Sequence, residues 1–233
     1  MNTQQQAALT ALANLTELGK GCAYGGDESG IQLFQCGITD ADMRHFAILP
    51  EFESINLGDN AITDAGLEFL RGQTKLRFLD ISNSGITRLD ALRWLTALHT
   101  LCCDRIDSLD DDGAAALEFL TNLQFLRIFG TEIGDATLSR LANHRHLKAL
   151  DLTWTKVTDD GLRHLASIRD LEKLGLYGTA ISDKGLMHLH GLVKLRQLMV
   201  GETQITKRGE EQIKQAIPGV VVGDNWDIPG LMQ

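Results

Sequence analysis

The chain has 233 residues, 43% of them hydrophobic, with only three prolines. That is enough apolar content for one continuous core, and no Pro/Ser-rich linker divides it, so a single structural domain is expected. A formal net charge of −9 argues against a nucleic-acid backbone or an anionic membrane surface as partner, since both select a basic face.

The N-terminal sequence Met1 to Leu9 lacks the positive, then unbroken apolar, pattern of a signal peptide. No later run approaches the roughly 18 apolar residues of a membrane span. A cytoplasmic location is the expectation, unless a leader precedes the sequence or secretion as an effector uses a signal-independent route. Residues 1–29 read as a cap, with Ala8, Leu9, Leu12, Leu15 and Leu18 at mostly helical spacing and Gly19 as a stop.

From residue 30 the sequence repeats. Ile31, Leu33, Ile38, Asp40, Met43 and Phe46 form a half-matching first unit. The leading apolar residue then returns at Phe52, Leu76, Leu98, Leu123, Leu147, Leu171 and Leu195, at spacings of 24, 22, 25, 24, 24 and 24. A period in this range marks a solenoid, whose units bury their apolar faces by stacking. Within a unit, Leu-x-Leu alternation predicts a short strand, and Asp-x-Gly-Leu-x-x-Leu has the spacing of one helical face. The Thr or Asp before Gly-Leu is read as a helix N-cap.

Two units depart from this pattern. In the third, Ile86-Thr87-Arg88 runs directly into Leu89, without Asp-x-Gly and two residues short. In the fourth, Cys102 and Cys103 occupy the strand, and the acidic loop 107–113 gains one residue. Irregular turns mark a bend, a functional insertion or drift. The repeat closes at Pro218. Residues 219–233 supply a closing strand at 220–222 and a tail, of which Trp226 is expected to pack.

The motif Thr-x-Ile/Val-Thr/Ser-Asp-x-Gly-Leu-x-x-Leu, clearest after Thr155 and Thr179 and partly kept after Thr203, resembles the leucine-rich repeat family, in the 24-residue form common in bacterial, planctomycete-type proteins. The resemblance covers residues 30–218 as eight turns. It implies an α/β solenoid with a curved parallel sheet on the concave side, helices on the convex side, and recognition of partners on the concave face. Such a repeat is a scaffold and names no partner.

Local chemistry adds little. His45, His164 and His188 share one helical position, on the convex surface, and no His-Glu-x-x-His or Cys-x-x-Cys spacing exists. A calcium-loop register through Gly113 puts Phe119 at the bidentate position, so the loop is read as a solvated acidic turn with one carboxylate capping the next helix. No metal or other cofactor is expected. Cys36, Cys102 and Cys103 are expected to be free thiols, the last two on opposite faces of their strand.

Alternation across the strands places Phe78, Arg105, Phe125, Arg127, Phe129, Asp151, Trp154, Lys173, Tyr177 and Met199 on the concave face. Phe125, Phe129, Trp154 and Tyr177 cluster where the repeat asks for nothing apolar, as binding hot spots do. The alternative is that these rings cover one another, with Arg127 and Asp151 as an ordinary cross-strand ion pair. The expectation is a noncatalytic protein-binding module, monomeric when free. Its rivals are a ligand-binding protein or enzyme built around Cys102, Asp104, Arg105 and Arg127, and an architectural subunit.

Overall fold

The computed structural model describes residues 2–18 and 29–224. Helix α1 (Thr3–Leu18) is followed by nine short strands: β1 (Gly30–Gln32), β2 (Ser54–Asn56), β3 (Phe78–Asp80), β4 (Thr100–Cys102), β5 (Phe125–Arg127), β6 (Ala149–Asp151), β7 (Lys173–Gly175), β8 (Gln197–Met199) and β9 (Val221–Gly223). They form one parallel sheet in sequence order. The expected α/β leucine-rich repeat architecture is therefore observed, with the closing strand shifted by one residue.

Register follows from the alternation. Leu126, Leu150, Leu174 and Leu198 are successive partners, each buried at 1% exposure or less. Any one-residue slip would turn this leucine row out to solvent. The core runs without interruption from Ala8 to Val220. Ala8 and Leu9 are the α1 side chains that join it, beside a cavity lined by Gln4, Ala7, His45 and Ile48. The side chains of Leu12, Leu15 and Leu18, and all of Gly19 and Trp226, lie outside the described residues.

The sheet has helical segments on one side only. In four turns a single α-helical turn, α2 (Asp40–Met43), α3 (Asp64–Leu67), α5 (Asp159–Leu162) or α6 (Asp183–Leu186), runs directly into 3₁₀-helix. Longer α-helices appear at α4 (Asp135–Leu141) and α7 (Lys207–Ala216). The third and fourth turns have only 3₁₀-helix, at Asp90–Trp94 and Gly113–Phe119. Among the described residues no helix is long and apolar enough to cross a membrane.

The repeated Thr-Asp-x-Gly has a sharper role than helix capping. The N-cap is Thr or Ser, or Gly134 before Asp135, and the following Asp reaches forward to the next turn. Asp135 accepts from the Thr158 N–H (2.8 Å) and hydroxyl (2.6 Å), Asp159 does the same for Ser182, and Asp183 for Thr206. Asp40 and Asp64 do so for Thr63 and Thr87. The glycine is required by this staple. A Cβ on Gly66, Gly161, Gly185 or Gly209 would collide with the carboxylate of Asp40, Asp135, Asp159 or Asp183.

In the irregular third turn no carboxylate is available, so backbone closes on backbone. Leu89 N–H donates to the Gly113 carbonyl at 2.8 Å, and a Cβ on Gly113 would strike the Thr87 carbonyl. The acidic loop resumes the pattern. Asp110 caps the following segment through Gly113 N–H (2.8 Å), as expected, while Asp111 staples forward to Gly134 and Thr137.

Candidate protein-interaction face

Three residues per turn point to the open face of the sheet: the two flanking the central strand leucine, and one two positions later. The next residue makes the turn in left-handed backbone. Gln35, Asp59, Asn83, Arg105, Gly130, Trp154, Gly178 and Glu202 occupy this position, all with φ between 52° and 68°. Glycine adopts that conformation freely, whereas a Cβ costs about 1–2 kcal/mol. Trp154, between two turns that use glycine, is the bulkiest side chain held there.

The ring of Trp154 lies across Gly178, where any Cβ would strike the indole, and is 55% exposed. It meets Tyr177 edge to face, centroids 5.5 Å apart at 66°. Tyr177 in turn lies across Gly201 and hydrogen-bonds Glu202. Each ring thus rests on the glycine of the following turn. Phe125 and Phe129, both half-buried, do not join them: among the described residues Trp154–Tyr177 is the ring pair on this face. The expected four-ring cluster is a pair plus two separate rings. Phe78, Lys173 and Met199 are half-buried on the same face, and Arg105 is exposed.

The charged residues also differ from expectation. Arg127 pairs with Asp104, not Asp151, at 2.6 Å. Asp104 is 3% exposed, and its carboxylate also accepts from Phe129 N–H at 3.3 Å. Burial pushes Asp104 up to about 7, Arg127 opposing and Asp151 adding repulsion. Asp151 is 8% exposed and accepts from Thr153 N–H at 3.1 Å. Both carboxylates are buried, so Asp151 is poorly placed to meet a partner. Arg105 lies 3.9 Å from Asp59.

Cys103 joins the core and Cys102 faces the other way, as alternation requires. Both are free. Cys36 is disulfide-bonded, which corrects the expectation of a free thiol there. Burial pushes the Cys102 thiol far up, with Asp80 and Asp104 adding to the shift. Held as a neutral thiol, it has little nucleophilic character. Among the described residues no group of three His, Cys, Asp or Glu side chains could hold a metal ion.

A second aromatic patch lies on the helical side. Phe69, Trp94 and Phe119 each precede a core leucine, Leu70, Leu95 and Leu120, in consecutive turns. Trp94 is 56% exposed and Phe119 40%, with the Arg93 guanidinium 5.2 Å and 4.6 Å from their rings. Their shared repeat position was readable in the sequence, but attention to the strands alone misses it.

The profile of the family described as Leucine Rich repeat matches residues 52–70 and 143–166, two of the turns that the structure shows continuing in one register. The chain has the leucine-rich repeat fold. No curated protein sequence matches it. Among solved structures, internalin C2 from Listeria monocytogenes is similar over 96% of this chain and 93% of its own, at 22% identity and a TM-score of 0.69. At that identity the likeness concerns the leucine-rich repeat fold alone. A second Listeria monocytogenes internalin, InlF, covers 81% of this chain and 71% of its own at 17% identity and a TM-score of 0.42.

Proposed function

We propose that this protein is a noncatalytic interaction module that binds a protein partner on its open sheet face, with Phe125, Arg127, Phe129, Trp154 and Tyr177 as contacts. The observation that carries this reading is Trp154, a large exposed ring held in left-handed backbone where both neighbouring turns use glycine. Packing of the core does not ask for it, and a large exposed ring where both neighbouring turns use glycine points to use. The similar internalin C2 fold supports a scaffold of this kind. The half-buried Arg127, fixed by Asp104, offers its remaining N–H groups without the entropy cost of ordering a loose side chain.

The rival reading, chemistry at Cys102, is disfavoured because its thiol stays neutral. The protein is proposed to be monomeric when free. Its compartment belongs to the same proposal. The disulfide at Cys36 favours an oxidising environment over the cytoplasm expected from the N-terminal sequence. Alkylation of natively isolated protein before and after reduction checks this: protection of Cys36 only before reduction is expected, and full labelling without reductant contradicts it.

Affinity capture from the source cell tests the function. The native chain should retain a partner that Trp154→Ala retains at less than about a tenth of the level, the effect of losing ~1.4 kcal/mol or more. Equal retention by both, at equal melting temperature, would reject the sheet face.

A further inference from the structure

Trp154 and Tyr177 form an edge-to-face pair on the open sheet face, and two acidic side chains lie beside it. The Tyr177 hydroxyl hydrogen-bonds Glu202, and a Cβ placed on Gly201 would meet both the Tyr177 ring and the Asp224 carboxylate. Glu202 and Asp224 are exposed, and among the described residues no ion pair engages either of them. Elsewhere the molecule does supply its own cations. Arg127 serves Asp104, and Arg93 lies against the rings of Trp94 and Phe119. The helical side therefore already shows a guanidinium lodged against two aromatic rings.

We infer that the exposed Trp154–Tyr177 ring pair receives an arginine side chain of a protein partner. The exposed indole face of Trp154 carries negative quadrupole, and the Glu202 and Asp224 carboxylates beside Tyr177 add formal negative charge, so this patch is complementary to a cation. A planar guanidinium stacks on the indole while its N–H fork reaches a carboxylate, which an ammonium cannot match. Residues 225–233 contain no Lys or Arg, so that segment cannot supply this cation. This inference rests on the sheet face being the partner surface and adds the partner's chemistry to it.

The test uses the full chain with its indole N–H groups observed by NMR, the Trp154 signal being assigned by its loss in Trp154→Leu. A capped Gly-Gly-Arg-Gly-Gly peptide should shift that signal saturably in the millimolar range. The citrulline isostere should bind at least about threefold more weakly, and Glu202→Gln with Asp224→Asn should weaken the arginine peptide by a similar factor. No saturable shift with the arginine peptide, or equal binding of citrulline, overturns the inference. Should the double variant fail to fold, the citrulline comparison on the native chain decides. Partner binding that depends on Trp154 in a chain indifferent to the arginine peptide would sink this inference and leave the sheet face standing. Peptide binding by a chain whose partner ignores Trp154→Ala would sink the sheet face, and with it the inference.

Discussion

From residue 135 to 209 successive turns are joined by one repeated device, while between residues 87 and 113 that device is missing. In the regular region an aspartate spans two turns, a Thr or Ser receives it, and a glycine leaves room for it. In the irregular region the loop loses the aspartate and two residues, and the carbonyl of Thr87 fills the space a carboxylate would take. Both regions bury the same leucine ladder. Hydrophobic register therefore sets the solenoid, and the polar motif sets how closely the outer edges of its turns approach.

The largest effect should ignore this difference. Leu174→Asp in the regular region and Leu101→Asp in the irregular one each bury an unpaired carboxylate, at an expected cost on the order of 3–5 kcal/mol. Urea denaturation should show comparable losses. An unchanged midpoint for either would refute the register.

A double-mutant cycle sharpens the comparison. Gly161→Ala should destabilise by about 1–3 kcal/mol through its collision with Asp135. Asp135→Ala alone should cost about 1–3 kcal/mol by leaving Thr158 unpaired. Together they should cost about 1 kcal/mol less than their sum, because the truncated aspartate no longer obstructs the new methyl. Strict additivity would contradict the staple. Gly113→Ala should admit no such rescue by truncating a side chain, since its obstacle is a backbone carbonyl.

Two buried titrating groups separate the sheet face from the core by pH. Asp104 is raised in the fold to about 7 from the usual 3.8. Its stabilising contribution is present in acid and is lost as pH rises through about 7. His144, fully buried with Nε2 donating to the Leu117 carbonyl at 3.0 Å, is shifted the other way, burial lowering it. It contributes above the usual 6.5, and that contribution falls away in acid. Relative to the native chain, Asp104→Asn should gain melting temperature on going from pH 5 to pH 8. His144→Leu should lose its relative advantage over the same range. Parallel pH profiles for all three proteins would refute both assignments.

These results also mark what the sequence made legible. The leucine spacing displayed the strand register, the number of turns, and both irregular loops. The role of Asp135 was not legible, because its partner lies 23 residues away and a capping reading satisfies the same local pattern. Alternation places Asp151 on the sheet face but does not show that it is buried there. Alternation also places Trp154 on the sheet face. Its direction, laid over Gly178 toward Tyr177, depends on a left-handed backbone that spacing alone does not reveal. The free thiol expected at Cys36 fails because pairing of cysteines is not encoded in the period of a repeat.

The two aromatic patches permit the most direct test of the proposed face. With a captured partner, titration calorimetry should compare the native chain with Phe129→Ala/Trp154→Ala/Tyr177→Ala on the sheet and Trp94→Ala/Phe119→Ala on the helical side. A loss of about 2 kcal/mol or more is expected for the sheet variant and less than about 0.5 kcal/mol for the other. Retained affinity in the sheet variant together with lost affinity in the helical-side variant would contradict the account.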